Sequence, residues 1–473
     1  MNRPHLDALS ALPHSASLLV GGTDTIVARA TAEGRGALAV IRLSGAAVRD
    51  IATALAIAPL GVRVATRVTL RHPTDATILD DAIATYFAAP HSYTGEDVLE
   101  LSTHGGHVVP SLVVRACVAA GARVALPGEF TRRAVINGRM DLVQAEAVAD
   151  LIDARTLGMH AQALSQLDGG LSRRFLALRD DVIGLESLLA YDIDFPGEDD
   201  GPIDPARIRE RATALLTSLD ALLATAPRAA VQRDGALVVI AGPPNVGKSS
   251  LFNALLGESR ALVTAIAGTT RDAIEAVLDR RPVPLRLVDT AGLRDTDDVI
   301  ERLGIAVSTR YLANARVVLA CGSTAREVQT TLDFLRGSTD ARIVPVHTKA
   351  DLRPASVSDA DAAHAIPAEW HPVSAESGVG LAGLLSTLDT LLRYETDAAP
   401  SDIMVTRERH RAGLAEARAE IATFLEAWQH AALPLTVVAV HLQTARDALA
   451  GVVGVIGTED VLDRVFRDFC IGK

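Results

Sequence analysis

Hydrophobic and polar positions follow two different rhythms along this chain. From Thr25 to about Ala120, short apolar runs alternate with a helical spacing. Thr25-Ile-Val-Ala-Arg-Ala30 opens the ordered region. Gly34 to Gly45 then gives a glycine turn, a strand carrying Arg42 and a turn into a helix. A strand at Ile83–Phe87 leads to Tyr93-Thr-Gly-Glu-Asp-Val-Leu-Glu-Leu101 and His104-Gly-Gly106, and the spacing from Val109 to Ala120 predicts an apolar helix. Alternation over this length predicts an α+β domain. From Asp141 the rhythm becomes one of long helices: Val143, Ala147, Leu151 and Ala154 share a face, and helical character runs through Leu189. It breaks at the acidic stretch Asp192–Asp200, a solvated loop by composition, and resumes to about Ala226. Near the end, Leu414, Ala417, Ile421, Leu425 and Trp428 form one stripe, and Leu435, Val438, Leu442, Ala445 and Leu449 another.

Between the helical blocks lies a third pattern. Ala236-Leu-Val-Val-Ile-Ala241 predicts a buried strand, followed by Gly242-Pro-Pro-Asn-Val-Gly-Lys-Ser249, which fits the phosphate-binding spacing G-x-x-x-x-G-K-[ST]. Ser250 to Leu256 predicts a helix ended by Gly257. Backbone N–H groups of such a loop close around phosphate at a helix N-terminus. Lys248 supplies a cation for the β- and γ-phosphates, and Ser249 a hydroxyl for Mg²⁺. Downstream, Leu285–Asp289 predicts a strand running into Asp289-Thr290-Ala291-Gly292, with Asp289 placed to hold Mg²⁺ through water and the Gly292 N–H near the γ-phosphate. Ile343–His347 leads into Thr348-Lys349-Ala350-Asp351, a variant of the guanine-reading N-K-x-D. Asp351 accepts from two N–H groups of guanine, a pattern adenine reverses; losing such a charged bond costs roughly 1.5–3 kcal/mol, or about 10–100-fold. Thr348 stands where an amide is usual and predicts weaker guanine affinity. Ser374 and Ala375, in Val373-Ser-Ala375, complete the base site. The order of these motifs specifies a GTPase domain.

The helical blocks on either side look incomplete alone, which predicts one helical domain with the GTPase inserted where its ends lie close. The expected divisions are a disordered extension at 1–21, an α+β domain at 22–140, a first helical segment at 141–230, the GTPase at 235–395 and a second helical segment at 396–473. The fold class expected is therefore multidomain, α/β and α.

Charge and cysteine content narrow the class further. The net charge of −12 argues against a protein that coats nucleic acid, though not against a local basic site. Arg132, Arg133, Arg407, Arg409 and Arg411 are scattered and read as solvated surface. Cys117, Cys321 and Cys470 are too far apart for a disulfide framework or metal spacing, which suits a reducing cytosol. No apolar run approaches the ~20 residues of a membrane helix, and the first residues lack the basic start and apolar core of a signal peptide. A cytoplasmic location is expected.

Along almost its whole length the chain resembles the MnmE (TrmE) family of tRNA-modifying GTPases. The stretches that carry this are Gly34-Arg-Gly36 with Arg42, Thr94–Glu100, His104-Gly-Gly106, Pro127-Gly-Glu-Phe130, Asp141–Ala147, Asp194-Phe-Pro196, Pro244–Ser249, Gly268-Thr-Thr-Arg-Asp272 and the terminal Cys470-Ile-Gly-Lys473. The resemblance implies a folate-binding N-terminal domain that forms a homodimer, a discontinuous all-helical domain, and an inserted Ras-like P-loop GTPase that depends on K⁺. It implies a heterotetramer with the FAD-containing partner MnmG. Together they add a carboxymethylaminomethyl (or aminomethyl) group to C5 of the wobble uridine (U34) of certain tRNAs. The folate would be 5-formyl- or 5,10-methylene-tetrahydrofolate.

The same resemblance assigns site residues. The GTP site takes Asn245, Val246, Gly247, Lys248, Ser249 and Ser250, the segment Thr264, Ala265, Ile266, Ala267, Gly268, Thr269 and Thr270, and the motifs already named. Leu293 replaces the water-orienting glutamine of Ras-type enzymes. K⁺ then takes the place of an arginine finger, a role worth up to about 10³–10⁵ in rate. Its oxygen ligands would be Asn245, Thr264, Ile266 and Thr269. Thr270 would bind Mg²⁺ beside Ser249, and Glu301 would be the catalytic acid that orients water indirectly. Arg42, Glu100, Arg139 and Lys473 would hold the folate, bases meeting its glutamate tail and the carboxylate its pterin donors. Arg139 stands where the family usually has lysine, which changes the fork geometry. Cys470 is either a nucleophile or a positioning residue. His104, without metal-ligand neighbours, reads as a turn that contacts backbone. Two other readings use some of this pattern: a ribosome-assembly GTPase switch, which would not need Arg42, Glu100 or the terminal tail, and a folate-dependent one-carbon transferase with a regulatory GTPase.

Overall fold

The computed structural model describes residues 24–154, 157–194, 204–258, 274–278, 284–289, 311–352, 367, 369–393, 403–430, 434–454, 462, 465–466, 469–470 and 472. Two compact units emerge, Met1–Ala145 with Gly457–Lys473, and Glu146–Ile456.

The first unit is built on a six-stranded sheet. Its strands are β1 (Ile26–Arg29), β2 (Leu38–Ser44), β3 (Thr66–Arg71), β4 (Ile78–Phe87), β5 (Val98–His104) and β6 (Arg123–Val124), in the order β3-β4-β5-β2-β1-β6. All neighbours are antiparallel except β1 and β6. Alternation along the strands sorts their side chains onto two faces. Ile41, Leu43, Ala82, Ala84, Leu99 and Leu101 meet α1 (Val48–Ala54) and α2 (Val109–Ala119) through Ile51, Val113 and Cys117. On the other face, Ile26 and Ala28 are covered by Phe130 of α3 (Glu129–Ile136). That face also carries Arg42 and Glu100, paired across the β2–β5 register. The strand predicted at Ile83–Phe87 is five residues longer at its start, because Ile78–Ala82 pairs with β3.

In the second unit, helices precede and follow a second sheet. The first set is α4 (Leu142–Asp153), whose first four residues belong to the first unit, α5 (Leu157–Leu167), α6 (Gly170–Asp194), α7 (Pro205–Leu223) and α8 (Ala226–Asp234). The sheet comprises β7 (Ala236–Ala241), β8 (Ile274–Leu278), β9 (Leu285–Asp289), β10 (Val317–Gly322), β11 (Arg342–His347) and β12 (His371–Pro372), ordered β12-β11-β10-β7-β9-β8. It is parallel except for β8. α9 (Lys248–Glu258), α10 (Ala325–Leu335) and α11 (Leu381–Arg393) alternate with these strands. Two apolar clusters result: Leu251, Leu255, Leu384 and Leu388 pack with one set of strand side chains, and Val328, Leu332 and Leu335 with the other. This is a doubly wound α/β arrangement. The helix predicted to stop before Gly257 includes it and runs to Glu258. α8 escapes the sequence pattern because its polar composition gives no clear apolar stripe.

The closing helices are α12 (Glu408–His430) and α13 (Leu435–Val453). α13 packs along α12 and α6, and α12 along α7, so helices from both sides of the sheet share one layer. On α12 the buried stripe is His410, Leu414, Ala417, Ile421 and Phe424, while Leu425 and Trp428 are half-buried. The return segment is fastened to the earlier helices. Val405 N donates to Thr225 Oγ1 at 3.0 Å, and Gln166 Nε2 to Thr406 Oγ1 at 2.9 Å.

Two arginines expected on the surface belong to this layer. Arg409 donates through Nε and Nη2 to both oxygens of buried Glu146, at 2.9 and 2.8 Å, and Arg407 Nη2 lies 2.5 Å from Asp150 Oδ1. Glu146 also meets His410 Nε2 at 2.6 Å. Burial alone would raise the Glu146 carboxyl, but the hydrogen bonds from His410 and Arg409 outweigh it and hold the group at about 2. Burial lowers the His410 pKa against the pull of Glu146, so the ring is neutral and donates through Nε2. In the first unit, Arg133 is likewise buried, bonded to Asp24, Glu96 and Glu129. A charge count along the chain misses such pairs because most of the partners are far apart in sequence, Glu129 beside Arg133 on α3 being the exception. Arg411 does lie on the surface, paired with Glu408.

Candidate functional site

The phosphate loop leaves β7 through Gly242, whose φ of +154° no side chain adopts easily. A Cβ there would sit 2.3 Å from the Cys321 carbonyl oxygen, so β10 presses directly on the loop. Burial pushes the Cys321 thiol up to about 12, leaving it a protonated packing group. Asn245 (φ +63°) and Gly247 (φ +93°) complete the turn into α9, where Lys248 is buried. The Lys248 Nζ donates to the Gly242 and Pro243 carbonyls at 3.0 and 2.7 Å, which holds the ammonium inside the loop it serves.

Ser249, at the start of α9, donates through Oγ to Asp289 Oδ2 at 2.6 Å. Asp289 is fully buried at the end of β9, in register with Ile240 on the neighbouring β7. Strand pairing therefore sets a hydroxyl and a carboxylate side by side, a hard-oxygen pair that suits Mg²⁺. Val246 is buried within the loop, and Ser250 is exposed on the first turn of α9.

The base-side loop follows β11 and is tied to the phosphate loop. Thr348 Oγ1 donates to the Val246 carbonyl at 2.5 Å, and Lys349 Nζ to the Asn245 carbonyl at 2.8 Å. Lys349 has φ +54°, and Asp351 opens outward within a short 3-10 turn, Ala350–Leu352. Ser374 is fully buried; its Oγ accepts from Ser377 N at 3.1 Å and its N–H donates to Val379 at 2.9 Å, which shapes the last base-side loop with Ala375. The fold thus brings Asn245, Val246, Gly247, Lys248, Ser249, Asp289, Thr348 and Lys349 together. Thr264, Ala265, Ile266, Ala267, Gly268, Thr269, Thr270, Thr290, Ala291, Gly292, Glu301 and Lys473 lie outside the described residues.

A second cluster stands on the first sheet. Arg42 meets Glu100 Oε1 through Nε at 2.9 Å and Nη2 at 2.8 Å. Its guanidinium also lies 5.2 Å from the Tyr93 ring centroid and 5.8 Å from that of Phe130. A cation, a carboxylate and the half-buried Tyr93 ring suit a flat, polar-edged ligand such as a pterin, while Phe130 is fully buried in the core beneath. Tyr93 carries no mark in the sequence that singles it out, although it adjoins the motif stretch Thr94–Glu100. Arg139 is exposed, its stem against the Gly95 turn. Behind the cluster, Ser44 Oγ bonds Thr94 Oγ1 and Glu96 Oε2 at 2.6 and 2.7 Å, and Arg123 meets Glu129 at 2.7 Å. Burial would raise the Glu129 carboxyl, but Arg123 and the Leu126 N–H hold it below its ordinary range.

The terminal segment reaches this same unit. Gly128, at φ +66°, caps α3 and donates to the Cys470 carbonyl at 3.2 Å; a Cβ there would meet Phe469 Cβ at 2.9 Å. Gly472 fits against the Arg29 carbonyl, 2.2 Å from where its own Cβ would be. Cys470 is exposed. His104 contacts a side chain as well as backbone neighbours: its ring Nδ1 is 2.6 Å from Asp80 Oδ1, while Gly105 makes the close backbone approach to Gly36 and Leu38.

Two family descriptions match in tandem: GTP-binding protein TrmE N-terminus over residues 25–139, and MnmE helical domain over residues 142–470. The curated tRNA modification GTPase MnmE of Azoarcus sp. (strain BH72) is 44% identical over 454 residues, 95% of this chain and 98% of that protein. Its counterpart in Ralstonia nicotianae is 41% identical over 465 residues, again 95% of this chain and 97% of that protein. Among solved structures, the G domain of the T. maritima FeoB iron transporter is 24% identical and covers 33% of this chain and 98% of that one, at a TM-score of 0.25, too low to bear on the fold.

Proposed function

The chain belongs to the MnmE family of tRNA modification GTPases, and on that basis we propose that it is a potassium-dependent GTPase that modifies C5 of the wobble uridine together with MnmG and a folate one-carbon unit. The observation that carries this is identity of 44% over 95% of the chain, together with family matches over residues 25–139 and 142–470 that span the nucleotide loops and the Arg42–Glu100 cluster. A GTPase switch for ribosome assembly would have no use for the second.

The chain's own residues supply the following. Backbone N–H groups from Asn245 to Ser249 face the phosphates, and Lys248 neutralises charge on the β- and γ-oxygens. Ser249, Asp289 and Thr270 would hold Mg²⁺. Asn245, Thr264, Ile266 and Thr269 would hold K⁺, which when bound supplies positive charge near the bond that breaks, where Leu293 offers none. Glu301 orients the attacking water indirectly. Asp351 accepts from guanine, and the Lys349 stem lies along the ring. In the first unit, Arg42 and Arg139 with Lys473 meet the folate's carboxylates, Glu100 accepts from pterin donors, and the half-buried Tyr93 gives it an apolar face. Homodimerisation through residues 22–140, assembly with MnmG and a cytoplasmic setting follow the family. No helix among the described residues is long and apolar enough to cross a membrane.

GTP hydrolysis measured in K⁺ and in Na⁺ tests the cation. Turnover is expected to be at least about 10-fold faster in K⁺, and equal rates would overturn the potassium assignment. Nucleoside analysis of tRNA from cells lacking this protein tests the position: loss of the C5 substituent at U34 is expected, and an unchanged profile would refute it.

A further inference from the structure

We propose that Thr348 is a positioning residue that latches the base-side loop to the phosphate loop, and that it makes no contact with the base, so guanine is read by Asp351 and Lys349 without it. The inference deepens the GTPase reading above and rests on it.

Thr348 is 4% exposed, and its hydroxyl oxygen lies 2.5 Å from the Val246 carbonyl and 3.1 Å from that of Gly322. A hydroxyl has one proton, whereas the amide usual at this position has two. The edge of guanine nearest such a loop, N7 with O6, offers only acceptors. With its proton on Val246, Thr348 has none left to give N7. What the substitution keeps is the tie between loops. Val246 adjoins Asn245, and the Lys349 ammonium grips the Asn245 carbonyl at 2.8 Å. Asn245 and Lys349 both sit in the left-handed region, at φ +63° and +54°; asparagine enters it readily, whereas a lysine stays there only if its surroundings hold it. The Thr348 latch is one of those holds. Releasing it frees Asn245, and the cost falls on turnover rather than on base choice.

Binding of GTP and 7-deaza-GTP, which lacks the N7 acceptor, separates the two jobs. Wild type is expected to bind them within about 2-fold of each other, and Thr348→Asn to gain a preference for GTP of about 2–10-fold, the worth of one hydrogen bond. A wild-type preference for GTP that Thr348→Val abolishes would overturn the base-contact claim. For the latch, Thr348→Val is expected to lower kcat at saturating GTP by about 10-fold and to raise the K⁺ concentration for half-maximal rate, while Thr348→Ser restores both. Thr348→Val turnover at the wild-type rate would overturn the latch, provided its melting curve matches wild type; a shifted curve is checked against Thr348→Ser, whose failure to restore kcat would overturn the latch equally. The 7-deaza comparison measures binding alone. It decides the base contact even in an enzyme that hydrolyses nothing, an outcome that would instead sink the GTPase reading.

Discussion

The nucleotide loops and the Arg42–Glu100 cluster are built in opposite ways. The first is made largely of backbone: short contiguous turns held in unusual dihedrals and tied to one another through main-chain carbonyls, with strands pressed so near that glycine is obligatory at Gly242. The second is made of side chains 58 residues apart, standing on regular strands and brought together by register alone. A backbone-built site fails when an atom is added. A side-chain-built site fails when a charge is removed.

The largest effect should come from Gly242→Ala. Its methyl group would meet the Cys321 carbonyl at 2.3 Å, and backbone cannot yield as a flexible side chain can. GTP affinity is expected to fall by about 100-fold or more, or about 3 kcal/mol, with folate binding unchanged. Fluorescent-nucleotide and folate titrations check this, and a parallel loss of folate binding would blur the contrast.

Acid should break the side-chain-built kind, and the Glu146 cluster in the helical layer is the sharpest case. Its carboxyl titrates at about 2 in the fold against an ordinary 4.5. The ionised form is the one the fold favours, so its contribution is complete above about pH 4.5 and is lost as the pH falls towards 2. That contribution is up to about 3 kcal/mol. His410 acts in the same sense: burial lowers its pKa, so protonation on acidification also opposes folding. Thermal unfolding measured down the pH scale should show a steep acid limb, flattened in Glu146→Gln.

A smaller loss is expected from Arg42→Ala. Glu100 would be left half-buried without its partner, costing about 1–2 kcal/mol in folate affinity, or about 5–30-fold. GTP hydrolysis without tRNA should be unchanged; a matching fall in GTPase rate would mean the two sites are not separable in this way.

The same contrast explains what the sequence makes legible. Gly242–Ser249 and Thr348–Asp351 can be read because each backbone turn needs its residues in one stretch, so spacing within each displays them, and Asp289 because it ends a buried apolar run. Strand–helix alternation and the stripes at Leu414 and Val438 are legible for a similar reason, since local period decides which face is buried. The roles of Arg133, Arg407 and Arg409 are not, because their acids lie up to 263 residues away and pairing is decided only by the fold. Tyr93, half-buried beside Arg42, escapes notice because no local mark separates its ring from a core ring such as Phe130. Phe424 displaces Leu425 from the buried stripe because α12 turns it toward the layer one position earlier.

The wide separation between Glu146 and Arg409 has a consequence for synthesis. At roughly 5–20 residues per second, Glu146 emerges from the ribosome some 10–50 s before the arginine that will neutralise it. In that interval α6 and α7 lack the closing helices α12 and α13 that they pack against, while the intervening sheet, whose strands are all made in one pass, is free to condense. Order of translation therefore favours the second sheet maturing before the helical layer closes.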